Sequence, residues 1–245
     1  MLKQLPNFIT TLNLLCGCMG AIFAVSGDLV AAAFFVFLGI FFDFFDGMTA
    51  RLLRAESPIG REFDSLADVI TCGLVPGLVM VQLFQISLFG EMRSFLDLVS
   101  VQPWKTYWRE YLPFVGLVIS VGAAYRLAKF NVDTRQSMGF IGLPTPANAL
   151  LILSLPLIFE YQYSPFLEEW IFNPYVLLGL TIFSAFIMNA EVSIMAFKFK
   201  TWSVKDNAER YLFAIFAVVA LILFKFLALP LIIICYILLS LVWKH

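Results

Sequence analysis

The chain holds a single histidine, His245, at its last position. Imidazole general-base catalysis and phosphohistidine chemistry therefore have no internal residue to use, and proton transfer falls to carboxylates. Charge is scarce as well. Charged residues make up 13% of the sequence, about half of the ~25% usual in a soluble domain. The four cysteines, Cys16, Cys18, Cys72 and Cys235, lie in apolar runs without metal-ligand spacing to one another or to histidine. They are read as small packing residues. No stretch alternates as a barrel strand does, so no sheet is expected. Internal repeats and low-complexity tracts are missing, and no nucleic-acid partner is expected. The N-terminal segment has one Lys, then Pro6 and Asn7, and no small-residue cleavage pattern, so a cleaved signal peptide is not expected.

What is abundant is apolar surface. Hydrophobic residues make up 61% of the 245, with 27 Phe suited to a lipid-facing exterior. Each bilayer-spanning helix needs about 20 mostly apolar residues. Apolar runs fall at about 8–26, 29–50, 65–89, 112–131, 146–160, 171–195, 209–226 and 228–243. The expectation is an all-α polytopic membrane protein of about eight transmembrane helices. It becomes seven if the last two runs form one kinked span. The whole of 1–245 reads as one membrane domain.

Lys and Arg set the orientation. With the N-terminus cytoplasmic, 12 of the 16 basic residues fall inside, including Arg51, Arg54, Arg61, Arg126, Lys129, Arg135 and Lys198. Arg93, Lys105, Arg109 and Lys225 fall outside. Both termini are therefore expected in the cytoplasm, in an integral protein of the cell membrane. Trp104, Trp108, Trp170 and Trp202 lie near expected span ends, as interfacial aromatics do. The segment 52–63, with Arg54, Glu56, Arg61 and Glu62, is expected as a short interfacial stretch joining helices two and three. The segment 90–111 is read as an outside loop.

Four carboxylates stand out because intramembrane charge is costly. Asp43 and Asp46 close the second run, and Asp64 and Asp68 open the third. Spacings of three and four put each pair on one helix face. The two helices are sequential and joined by a short link, so the acidic faces can meet. Four clustered carboxylates must protonate or bind cations. Hard divalent ions with oxygen ligands, Mg²⁺ or Mn²⁺, suit them. Two such ions can clamp the attacking and leaving oxygens of a phosphoryl displacement.

The stretch reads Asp43, two residues, Asp46-Gly47, two residues, Ala50-Arg51, eight residues, Gly60, three residues, Asp64, three residues, Asp68. It resembles the signature of the CDP-alcohol phosphotransferase family at all eight fixed positions over 26 residues. The resemblance implies a six-helix core, here about 6–195, with helices added at about 209–243 and the site facing the cytoplasm. It also implies that Asp43, Asp46, Asp64 and Asp68 bind the metals. Gly47, Ala50, Arg51 and Gly60 would then shape the site for CDP. Small residues at 47 and 50 let a diphosphate approach the backbone, Arg51 can bond phosphate, and Gly60 sits where the chain turns into helix three.

Two further stretches are similar to one branch, the integral-membrane phosphatidylserine synthases. They are Pro6-Asn7 through Thr10 and Asn13 to Gly17, and Arg126-Leu-Ala-Lys129-Phe130-Asn131 followed by Gly142-Leu-Pro144-Thr-Pro146-Ala147. Asn7, Thr10 and Asn13 share a helix face, as a polar first turn or as hydrogen-bond partners of CDP. Arg126 and Lys129 are membrane anchors or a cationic pocket for the serine carboxylate or the lipid phosphate, with Asn131 as a further polar contact. Glu191 caps a helix or lines the cavity, and Gly73–Gly77 serves helix packing or a dimer interface. The branch implies phosphatidyl transfer from CDP-diacylglycerol to L-serine in a homodimer, with Asp68 as general base. The near alternative is the same chemistry on glycerol 3-phosphate or inositol phosphate. The distant one is a cation transporter using the carboxylates.

Overall fold

The computed structural model describes residues 4–93, 108–133, 140–194 and 208–242. Arg135, Trp104, Trp202 and Lys198 lie outside the described residues. Helix α1 spans Leu5–Ser26 and α2 spans Leu29–Leu52. The reversal between them takes two residues. Gly27 adopts the left-handed conformation at φ 90°, and the Asp28 carboxylate accepts the Ala31 N–H at 2.9 Å. A C-terminal glycine followed by a capping Asp is the usual chemistry for ending one helix and starting the next.

Helix α3 runs from Pro58 to Phe89 and is the axis of the bundle. Of its apolar window 78% is buried, against 33% in α1, in α2 and in the helix Trp108–Val132. Residues Val69–Leu74 form a π-helical turn directly after Asp68. Pro76 follows it, and a proline cannot donate to the preceding turn, so the wider ladder meets it there. Helix α4 covers Trp108–Val132, beginning as a 3₁₀ stretch through Leu117. Helix α5 is Thr145–Tyr161, with Pro144 at its N-cap, as the two prolines there lead one to expect. A short α6, Pro165–Ile171, bends by 58° into α7, Pro174–Asn189. Helices α8, Ala208–Phe224, and α9, Ala228–Val242, follow.

By length and composition, five helical stretches can cross a membrane, and the bent α6–α7 pair makes a sixth. One of the five, Tyr211–Leu241, cannot be a single straight span. The Phe213 and Tyr236 rings lie 5.7 Å apart, whereas 23 residues of continuous helix would separate them by about 35 Å. The chain reverses at the 3₁₀ turn Lys225–Leu227, where Lys225 has φ 49°. Gln162 of the α5 end fixes that turn, donating to Phe224 O at 3.0 Å and accepting the Leu227 N–H at 3.0 Å. Each of the eight expected runs is thus a separate helical stretch, but only five to six qualify as spans by length and composition, since α5 and α8 have 17 residues and α9 has 15.

The all-helical class holds with one small exception among the described residues. Phe140–Ile141 pairs antiparallel with Ser193–Ile194 in a two-residue ladder, where no strand was expected. The ladder continues as Gly142 N–H to Val192 O at 2.9 Å and Leu143 N–H to Ile187 O at 3.0 Å. It ties the segment leading into α5 to the end of α7. Gly142 has φ 75°, and a Cβ there would run into Met188 O.

Polarity is arranged inside out. Phe8, Leu15, Ile22, Phe34, Phe41 and Phe44 are exposed, while Thr10, Asn13, Gln82, Arg126 and Asn148 are buried. Such an exterior suits lipid and not water. Trp108 and Trp170 are exposed at the end away from the Asp residues, where interfacial aromatics belong.

Glycines set how closely the axis is approached. A Cβ on Gly77 would collide with the Ser120 side chain, and one on Gly73 would meet Ala123 Cβ at 3.2 Å. Both glycines therefore face α4 within the chain, which removes them as a dimer contact. A bulkier residue has nowhere to go, and overpacking a tight site costs about 1–3 kcal/mol. Gly77→Val should lower the thermal unfolding midpoint of the detergent-solubilised protein by several degrees. Gly179→Ala should leave it unchanged or slightly raised, since a Cβ at Gly179 meets nothing within 4 Å.

Candidate active site

The end of α2 carries Asp43 and Asp46, and the start of α3 carries Asp64 and Asp68. The link between them is Leu53–Ser57, with Arg54 in the left-handed region at φ 49°. Ser57 then accepts the Gly60 N–H at 3.0 Å and caps α3, with Pro58 in its first turn. Helix three therefore starts seven residues before the expected run at 65. The Ser-Pro pair is a helix-start signal of the ordinary kind, but the charged residues after it masked the apolar pattern. Gly60 is accordingly not the turning residue. It lies in the first turn of α3, where a Cβ would crowd Asn7 Oδ1 at 3.1 Å. Its smallness lets α1 approach.

Carboxylate oxygens of Asp43, Asp64 and Asp68 lie within 4.8 Å of one another. Asp46, one turn further along α2, faces a cavity of about 230 Å³ that Asp64 also lines. Pro6, Asn7, Thr10, Gly47, Ala50, Arg51 and Gly60 complete much of its wall. Every residue expected to shape a nucleotide site thus borders one space. Gly47 is not there for helix packing. A Cβ on it would meet nothing within 4 Å, and its missing side chain leaves room in the cavity.

Helix α1 supports the carboxylates from one side. The Thr10 hydroxyl lies 2.5 Å from Asp46 Oδ2 and 3.1 Å from Pro6 O. It has one proton, and the nearer, charged acceptor takes it. Asn13 Nδ2 donates to Asp68 Oδ1 at 3.1 Å. The shared face of Asn7, Thr10 and Asn13 is therefore divided in use. Asn7 and Thr10 border the cavity, and Thr10 and Asn13 bond carboxylates. Sequence spacing identified the face but not these partners, because it does not tell which helix packs there.

The fit to hard divalent cations can be judged from the donors. The cluster offers only carboxylate oxygen, without nitrogen or sulfur. Asp64 Oδ1 is buried with no hydrogen-bond partner, an expensive state for an anionic oxygen unless a cation meets it. The donor set fits Mg²⁺ or Mn²⁺.

Helix α4 brings the basic residues to the same end of the bundle, with unequal roles. Arg126 is 6% exposed. Its nearest polar side chain is Thr145 at the start of α5, with Nη1 to Oγ1 at 3.5 Å, and its Nε has no partner. It interacts electrostatically with Asp68. Lys129 sits at the rim and pairs with Glu191 at 3.5 Å. Asn131 is occupied as well. It donates to Glu62 at 3.1 Å and accepts from Ser65 at 3.2 Å, which fastens α4 to α3 beside Asp64.

The comparisons with known proteins agree with this geometry. The model of the CDP-alcohol phosphatidyltransferase family matches residues 3–187, from the start of α1 to within α7. A CDP-diacylglycerol–serine O-phosphatidyltransferase of Bacillus subtilis is 31% identical over 170 residues, 68% of this chain and 80% of that protein. One of Helicobacter pylori strain J99 is 31% identical over 206 residues, 82% of this chain and 75% of its own length. One of Methanocaldococcus jannaschii is 30% identical over 181 residues, 74% and 71% of the two chains. With six of the eight signature residues lining one cavity, Asp43 and Asp68 clustered with Asp64 beside it, and three quarters of the sequence matched, this chain belongs to the CDP-alcohol phosphatidyltransferase family.

Proposed function

We propose that the enzyme transfers the phosphatidyl group of CDP-diacylglycerol to the hydroxyl of L-serine, giving phosphatidylserine and CMP. The observation that carries the reading is the close triple of Asp43, Asp64 and Asp68 beside buried Arg126. One cluster can hold cations for a diphosphate while one isolated guanidinium receives a single carboxylate. A phosphorylated acceptor would bring more negative charge, and Arg126 is the only buried cation among the described residues. The names of the three relatives support serine as well.

In this reading Asp43, Asp46, Asp64 and Asp68 hold two divalent cations, Mg²⁺ or Mn²⁺. When bound, these supply positive charge to the diphosphate and to the departing CMP. Gly47 and Ala50 leave space for the nucleotide, and Asn7, Gly60 and Arg51 border it. Arg51, exposed at the mouth, offers charge-assisted hydrogen bonds to phosphate. Arg126 orients the serine carboxylate, with Lys129 at the rim. Asp68 accepts the proton of the serine hydroxyl. The serine oxygen then forms a bond to the phosphorus bearing diacylglycerol, and the bond from that phosphorus to the CMP oxygen breaks. The acyl chains of the donor stay in lipid beside the exposed phenylalanines. The excess of Lys and Arg assigns the site, together with both chain termini, to the cytoplasmic face.

Purified protein with CDP-diacylglycerol and Mn²⁺ or Mg²⁺ should release CMP when serine is added, and much less with glycerol 3-phosphate, inositol phosphate or no acceptor. Release that needs a different acceptor would overturn serine while keeping the metal site. Divalent-ion flux in liposomes without any CMP release would favour a transporter.

Asp68→Asn should lower turnover by roughly 10²–10⁴-fold, the usual span for loss of a general base. Near-normal turnover would remove Asp68 from that role.

Thr10→Val keeps the shape of the side chain and removes the bond to Asp46. Partners that orient a metal ligand contribute about 10–100-fold in affinity or activity. The Mn²⁺ concentration for half-maximal activity should therefore rise about tenfold or more, and an unchanged metal requirement would show that the bond does not orient Asp46.

A further inference from the structure

Helix α5 carries a polar group that the reading above does not use. Asn148 is fully buried, and neither its Oδ1 nor its Nδ2 has a hydrogen-bond partner. A buried amide left bare at both ends is costly. Asparagine at that position persists for something that completes it.

Its place in the bundle indicates what that is. Thr145, also fully buried, lies one turn earlier on the same side of α5 and is the polar neighbour of Arg126. At the far end of the bundle, Leu29 and Val30 of α2 share a cavity wall with Phe159 and Glu160 of α5. The two helices run in opposite directions there, so equal rise of about 1.5 Å per residue brings Asn148 level with about Ile40–Phe42. Helix α5 packs against α2 and against the π turn that follows Asp68. Asn148 therefore lies within one helical turn of the depth of Asp43, on the buried face that begins at Arg126 and Thr145. The segment leading to this face is held by the backbone bonds of Gly142 to Val192 and of Leu143 to Ile187 in α7.

We infer that Arg126, Thr145 and Asn148 form the subsite for the acceptor's amino-acid end, and that Asn148 is its specificity-determining residue. This rests on serine transfer as proposed above. The free Nε of Arg126 and the Thr145 hydroxyl donate to the carboxylate of the zwitterion. The Asn148 Oδ1 accepts from its ammonium group, and Nδ2 donates a further bond to the carboxylate. A site whose buried polar groups are completed by a substrate rejects analogues lacking those groups.

The test is steady-state kinetics of the full-length protein in mixed micelles of detergent and CDP-diacylglycerol with Mn²⁺. Wild type, Asn148→Leu and Thr145→Val are compared. Asn148→Leu should raise the serine KM by about tenfold or more, with the KM for CDP-diacylglycerol within about twofold and the thermal shift by Mn²⁺ plus CDP retained. Thr145→Val, which preserves shape, should move the serine KM in the same direction and serves as the test if Asn148→Leu loses that thermal shift. A serine KM within about twofold of wild type in a variant that keeps the shift would overturn the subsite and leave serine transfer standing. Wild-type protein that releases no CMP with serine would overturn serine transfer, and this inference with it.

Discussion

Carboxylates crowded at the edge of a membrane repel one another with little water to screen them. The rest of this structure is arranged around that constraint. Oxygens of Asp43, Asp64 and Asp68 come within 4.8 Å, a distance at which like charges in a protein interior oppose ionisation strongly. Such a cluster persists only if the helices carrying it are held from elsewhere. Here the holding is done by the central position of α3, by hydrogen bonds from α1, and by backbone contacts that glycine permits.

Those contacts lie directly beneath the cluster. A Cβ on Gly39 of α2 would sit 2.6 Å from Thr71 Cγ2 and 2.9 Å from Asn13 Oδ1, and one on Gly17 of α1 would collide with the Thr71 hydroxyl. Thr71 in turn donates to Asn13 O at 3.2 Å. Three helices meet there around one threonine in the π turn. Small residues that let backbones approach are the usual means of helix association without a hydrophobic drive. In this protein the same approach delivers the Asn13 amide to Asp68. Packing and site geometry are thus one arrangement, and the π turn supplies the phase that brings Thr71 into it.

This division explains what could be read in the sequence. The helical runs were legible because bilayer thickness imposes a length on the spanning ones, and the reversal at Lys225–Leu227 keeps the last two distinct. The four Asp were legible because helical spacing and the cost of membrane charge both single them out. The start of α3 was not, since Pro58–Phe63 is too polar for a hydropathy pattern and only the Ser57-Pro58 pair marks it. Partner choice was hidden too. Spacing puts Thr10 and Asn13 on one face, but their bonds to Asp46 and Asp68 depend on how α1 sits against two other helices. Gly73 and Gly77 were open between two roles until Ser120 and Ala123 were found against them. Asn148 carried no signal, because one Asn in an apolar run is unremarkable until its amide is seen to be buried and bare.

Charge balance links the cluster to what it must receive. If all four carboxylates are ionised, they outweigh Arg126, and the cluster would repel an anionic diphosphate unless cations offset it. The same balance gives Arg126 a reason to be buried and short of partners. Within reach of Asp68 it offsets one carboxylate, yet its nearest polar side chain is a neutral hydroxyl at 3.5 Å. A direct ion pair would have satisfied the guanidinium inside the protein and left nothing for a ligand. Lys129 shows the contrast at the rim, where Glu191 already engages it. The guanidinium held back from the acids is the buried cation left available to a small anion.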